Sequence, residues 1–199
     1  MTPVRIASIV EGHGEVVALP ELLRRIAKET GRQIALEILK PIRRPRSSIL
    51  LKSGELERAV QLAALQARPR GGIFVILDSD DDCPAKLAPE LLARAERAAM
   101  NLPIAVVLAK REFEAWFLAA AESLRGKRGL PLDLVGPEHP EEVRGAKEWL
   151  RGRRQPKTYS PTIDQPALVQ AFSLNQARSA RSFDKCYREF ERILDCYRD

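Results

Sequence analysis

Six carboxylates stand at or just beyond the ends of three apolar runs in this 199-residue sequence, and side chains so placed could do chemistry together. Val4 to Val10 (VRIASIV) ends at Glu11, with Glu15 one helical turn further on. Gly72 to Leu77 (GIFVIL) ends at Asp78 and Asp80, and Pro103 to Ala109 (PIAVVLA) is followed by Glu112 and Glu114. In an open parallel sheet, ligands gather outside the carboxyl ends of the strands. Two unpaired carboxylates ~4 Å apart repel by about 4 kcal/mol at an effective dielectric near 20, so a convergent cluster calls for a cation. Mg²⁺ takes one or two carboxylates together with waters and phosphate oxygens, which suits an open site of this kind. A divalent ion so held polarises a phosphoryl oxygen and activates a water or hydroxyl nucleophile.

Other readings of the same residues fail on spacing. Gly12-His13-Gly14 lacks the third glycine of a dinucleotide fingerprint, and Glu11 and Glu15 would repel a bare pyrophosphate. No GxxxxGK[ST] segment occurs. Asp78, Asp80 and Asp82 imitate the first calcium-loop ligands, but Cys83 stands where glycine is needed and Pro89 where glutamate is needed. Glu112 and Glu114 also suit a plain helix N-terminus, where the macrodipole favours anions. They flank Phe113 by about 100° on either side, so one metal takes only one of them once the helix has begun. Asp81 and Asp82 read as solvated loop charge, and His13 either as a plain turn histidine or as a proton donor or acceptor near the metal.

The elements that must position these groups alternate between strand and helix. After Glu11, the residues Val16, Leu19, Leu23 and Ile26 form a helical stripe ending at Gly31, with Pro20 expected to kink or restart it. Ile34 to Leu39 is a weaker strand, the basic stretch from Lys40 to Arg46 reads as a loop, and Glu55 to Gln66 as a helix. Another helix covers about Pro89 to Met100, and Phe113, Trp116, Phe117 and Ala120 begin the next. Such alternation implies parallel pairing through right-handed crossovers. The expected fold is therefore α/β: a mainly parallel, doubly wound sheet of about four strands flanked by helices, over residues 1–125. Residues 126–199 form a loop-rich, mainly helical C-terminal extension packed on it. That extension includes a short helix from Pro166 to Phe172. It ends in one from Ser182 to Tyr197, with Ser182 as N-cap and Asp184 in the first turn.

The chain carries a formal charge of +6, with 45% hydrophobic and 30% charged residues, so it can bury a core while its surface attracts polyanions. Two basic stretches could track a phosphate backbone: Lys40, Arg43, Arg44 and Arg46, and then Arg151, Arg153, Arg154 and Lys157. No run approaches the ~20 apolar residues of a membrane span, so a cytoplasmic protein with no membrane partner is expected. Cys83, Cys186 and Cys196 form no CxxC pair and predict neither a disulfide framework nor a zinc site.

The glutamate and glycine turn after the first strand, paired with Asp78-Ser79-Asp80, resembles the Toprim domain. That domain is shared by type IA and II topoisomerases, bacterial primases and the overcoming-lysogenization-defect nucleases, and the likeness covers Val4 to Leu124. More specifically, IVEGHGE (Ile9 to Glu15), LDSD (Leu77 to Asp80) and EFEAWF (Glu112 to Phe117), with Arg181-Ser182-Phe183, resemble a bacterial family called domain of unknown function 4276. The resemblance implies a Toprim, Rossmann-like fold and Mg²⁺- or Mn²⁺-dependent phosphodiester chemistry on DNA or RNA, as in a nuclease. It makes Glu11 a metal ligand or general acid/base, and Asp78 and Asp80 a metal-binding pair. By the nuclease branch, Glu15 is the second glutamate, and Glu112 or Glu114 helps hold a second metal, with Glu112 standing where those enzymes carry a serine. That branch also implies a lysine, for which Lys147 is the candidate beside Lys110 and Lys157. The alternative is a Toprim-like binding or regulatory subunit that needs a partner such as an ATPase. Tyr159, Tyr187 and Tyr197 offer no topoisomerase nucleophile.

Overall fold

The computed structural model describes residues 2–197. Five strands, β1 (Val4–Val10), β2 (Leu36–Ile38), β3 (Ile42–Arg43), β4 (Gly71–Asp78) and β5 (Ile104–Ala109), form one all-parallel sheet in the order β2-β1-β4-β5, with β3 also pairing β1. β1, β4 and the edge strand β5 are nearly continuous apolar runs because both of their faces are covered, as parallel sheets require. Alternation then divides them. Ile6, Val10, Phe74, Ile76, Ala105 and Val107 face one core, while Ala7, Ile9, Ile73, Val75, Val106 and Leu108 face the other.

The first core is closed by α1 (His13–Glu29), α5 (Ala115–Ala119) and the C-terminal helices α6 (Ala146–Arg153), α7 (Pro161–Ala171), α8 (Leu174–Ala177) and α9 (Arg181–Asp195). The second is closed by α2 (Arg46–Leu51), α3 (Glu55–Ala67) and α4 (Pro84–Ala98). The chain leaves β1 through α1 toward β2 on one face and leaves β4 through α4 toward β5 on the other. The strand order therefore reverses between β1 and β4, which opens a crevice at their carboxyl ends, where open α/β sheets bind ligands. Glu11 and Asp78 occupy its two lips.

Several local expectations differ from the structure. α1 does not restart at Pro20 but continues through it as one helix from His13 to Glu29, with the Pro20 donor missing from its ladder. The basic stretch after Ile38 is not all loop: Ile42 and Arg43 pair with Ile9 and Val10, and Arg46 already opens α2. α6 falls in the region read as loops. Ser182 is not the N-cap of α9, because Ala180 holds that position and Glu141 accepts the N–H groups of Arg181 and Ser182. The Ser182 hydroxyl turns inward instead, accepting from Trp116 Nε1 at 2.8 Å and from the Lys110 N–H at 3.1 Å.

Candidate functional site

Glu11 follows β1 directly, and Gly12 is the N-cap of α1, so the chain turns from strand to helix within two residues. The turn is crowded. A Cβ on Gly12 would overlap the Glu15 carboxylate, and one on Gly14 would overlap the Gln165 amide and press on Pro161. Glycine at both positions lets Glu15, in the first turn of α1, sit buried beneath the strand end.

Across the crevice, Asp78 ends β4 and accepts the Phe113 N–H at 2.8 Å. The turn after β5 is fixed by the Arg111 N–H donating to Ser79 Oγ at 2.9 Å, with Arg111 itself left-handed at φ 62°. This geometry drives Glu114, just before α5, to complete burial. Its Oε1 accepts from Gln165 Nε2 at 2.8 Å and from the Tyr159 hydroxyl at 3.1 Å. The same Gln165 nitrogen donates to Glu15 Oε1 at 3.2 Å, and Lys147 Nζ lies 3.7 Å from Glu114 Oε2.

The electrostatics follow from this crowding. Burial and the neighbouring Glu114 and Glu15 carboxylates hold Asp78 well above the usual aspartate range, against the pull of Lys147. Burial pushes Glu114 up to about 7, with Lys147 and Gln165 opposing. Glu11 is raised by burial and then by Asp80. Burial works against the Lys147 ammonium, but Glu114 and Asp78 outweigh it and raise its pKa. Tyr159 is raised by burial and by Glu114, so it stays a neutral donor. Four buried acceptor atoms, Glu11 Oε2, Glu15 Oε2, Glu114 Oε2 and Gln165 Oε1, have no hydrogen-bond partner. Buried polar atoms are ordinarily satisfied, so four such acceptors side by side mark a place for a donor or a cation.

Other residues singled out in the sequence are engaged elsewhere. Asp80 is exposed, left-handed at φ 47°, and paired with Arg46 at 3.2 Å. Arg46 also binds Asp82 and the Ser79 carbonyl. Asp81 pairs with Arg111 and Arg144. Glu112 accepts the N–H groups of Gly145, Ala146 and Lys147 at 3.0, 3.3 and 3.4 Å, capping α6, the helix that carries Lys147. Glu112→Ala should therefore cost about 1–2 kcal/mol in urea unfolding, the usual worth of a lost N-terminal cap. Arg43 is exposed beside Val10, and Arg44 pairs with Glu55 at 3.2 Å. Arg153 stacks over Trp149 at 3.7 Å, whereas Arg154 is buried on Asp164 at 2.7 Å, away from any polyanion at the surface.

Tyr159 and Gln165 are the members of the cluster that the sequence did not reveal. Both come from the C-terminal extension, and no motif or apolar stripe marks them. Among the described residues, no three or more His, Cys, Asp or Glu side chains are grouped closely enough to hold a metal ion between them. No helix of the described residues is long and apolar enough to cross a membrane. A family model described as Domain of unknown function (DUF4276) matches residues 10–191. No curated protein and no solved structure matches the chain.

Proposed function

The chain belongs to this DUF4276 family, and from the chemistry of its site we propose that it carries out divalent-metal-dependent phosphodiester chemistry on nucleic acid, as a Toprim-type nuclease. The observation that carries the proposal is the group of buried acceptors: three carboxylate oxygens and one amide oxygen without a hydrogen bond, with Lys147 Nζ 3.7 Å from the Glu114 one. Carboxylate and amide oxygens are hard donors of the kind Mg²⁺ and Mn²⁺ prefer. Mg²⁺ commonly takes one or two carboxylates and completes its shell with water and substrate phosphate. Glu11 and Asp78 would hold it at the crevice. Asp80 would join after leaving Arg46, and Glu15 and Glu114 would serve a second ion. The bound ion would polarise the phosphoryl oxygen and lower the pKa of an attacking water.

The chain's own residues do the rest. Lys147 offsets charge among the carboxylates and can draw a phosphate oxygen toward them. Arg43, next to Val10 at the same strand edge, gives a polyanion a cationic approach to Glu11. The net charge of +6 supports the same partner.

The test is Mn²⁺ calorimetry on the wild type and on an Asp78→Asn, Asp80→Asn variant, then cleavage of single- and double-stranded DNA and RNA by the same preparations. Asparagine keeps an acceptor for the Phe113 N–H, so the variant should fold. The expected result is wild-type binding, at least ~10-fold weaker binding by the variant, and cleavage by the wild type alone. Binding without cleavage would favour a module that needs a partner such as an ATPase. No binding, even with a short oligonucleotide present, would overturn the proposal.

A further inference from the structure

The side chain that ties the acidic cluster together is neutral. Gln165 is wholly buried, and its Nε2 donates to Glu15 Oε1 and to Glu114 Oε1, so one amide nitrogen spans carboxylates from α1 and from the turn before α5. Its helix is firmly seated. Asp164, next to it, accepts the Ser160 N–H at 2.7 Å and pairs with Arg154 at 2.7 Å and Arg128 at 3.3 Å. On the other side, Gly14 presents no Cβ, and the space a Cβ would need holds the Gln165 amide. Two carboxylates this close repel, and something must hold them. Lys147 already offsets part of their charge, and a second cation in place of Gln165 would cancel more of the charge that attracts a dication. An amide supplies two N–H donors and no charge.

We propose that Gln165 is a positioning residue of the metal site, clamping Glu15 and Glu114 by their Oε1 atoms and leaving their Oε2 atoms, with its own Oε1, as acceptors without a hydrogen bond, the Glu114 Oε2 facing Lys147 Nζ at 3.7 Å. This inference rests on reading the cluster as a metal centre. It also means that the site is completed by the C-terminal extension, which carries Gln165, Tyr159 and Lys147.

Gln165→Met keeps the length of the side chain and removes both donors. Gln165→Asn keeps an amide that is one methylene short of spanning both carboxylates. Ile193→Val, a conservative loss in the core under α9, serves as a control for stability alone. Each full-length variant is compared with the wild type for Mn²⁺ affinity by calorimetry and for thermal midpoint in EDTA. Gln165→Met should weaken Mn²⁺ binding ~10- to 100-fold, as removal of an outer-shell partner does, with a smaller loss for Gln165→Asn. Ile193→Val should lower the midpoint and leave affinity unchanged. Wild-type affinity in a folded Gln165→Met or Gln165→Asn protein would overturn the inference while leaving the metal site standing, and the asparagine variant decides if the methionine one does not fold. Failure of the wild type to bind Mn²⁺ would overturn the reading of the site and this inference with it.

Discussion

On the proposed reading of Glu114 as a ligand of a second ion, Glu114→Gln is expected to lower nucleic-acid cleavage by ~100-fold or more, at least the scale of losing an outer-shell partner of a metal, and at the same time to make the metal-free protein more stable. The two effects share one cause. Glu114 is buried with its pKa raised to about 7, so the fold favours its protonated form. An acid raised in this way imposes nothing below its unfolded pKa near 4.5, destabilises progressively as pH climbs through the window from there to about 7, and imposes a constant penalty above it. The shift corresponds to a penalty on the order of 3 kcal/mol at pH 8. Glutamine keeps Oε1 as acceptor for Gln165 and Tyr159 and carries no charge at any pH. Urea unfolding in EDTA should therefore find the variant more stable at pH 8 and close to the wild type at pH 4. A variant less stable than the wild type at pH 8 would mean that Glu114 is ionised and well compensated by Lys147 in the fold.

The second large effect belongs to Trp116. Its ring is fully buried, 4.7 Å from the Phe113 ring and 5.3 Å from that of Phe183, and its Nε1 donates to Ser182 at the start of α9. Trp116→Ala should cost about 3–5 kcal/mol, the range for emptying a large aromatic site in a core that relaxes only partly. Because Phe113 also donates to Asp78, loosening this contact should disturb the acidic cluster as well as the core. The urea midpoint measures the first effect, and loss of Mn²⁺ affinity in the remaining folded protein measures the second. A cost below about 1 kcal/mol would show that the C-terminal helix is not part of the same cooperative unit.

The main strands and the acidic residues at their ends were legible because both signals are local. A continuous run such as Gly72 to Leu77 can satisfy a strand buried on both faces, and the aspartate that ends it cannot continue into that core. Ile42–Arg43 was not legible. Two residues carry no period, and their pairing with Ile9 and Val10 depends on β1 being present. The basic run from Arg151 to Arg154 reads as uniform surface charge, yet the fold turns Arg154 inward to Asp164 and leaves Arg153 on Trp149.

The site divides the same way. The residues after each strand name Glu11, Glu15, Asp78 and Glu114, since chain direction puts them all at one edge of a parallel sheet. Only tertiary packing decided that Glu112 caps α6 and that Asp80 pairs with Arg46. The same packing placed Gln165, 150 positions from Glu15, between two carboxylates. Sequence by itself determines the periodic burial and the turn chemistry of this protein, because those depend on near neighbours along the chain. Which charges meet depends on how helices distant in sequence seat against the sheet, and that was decided by the fold.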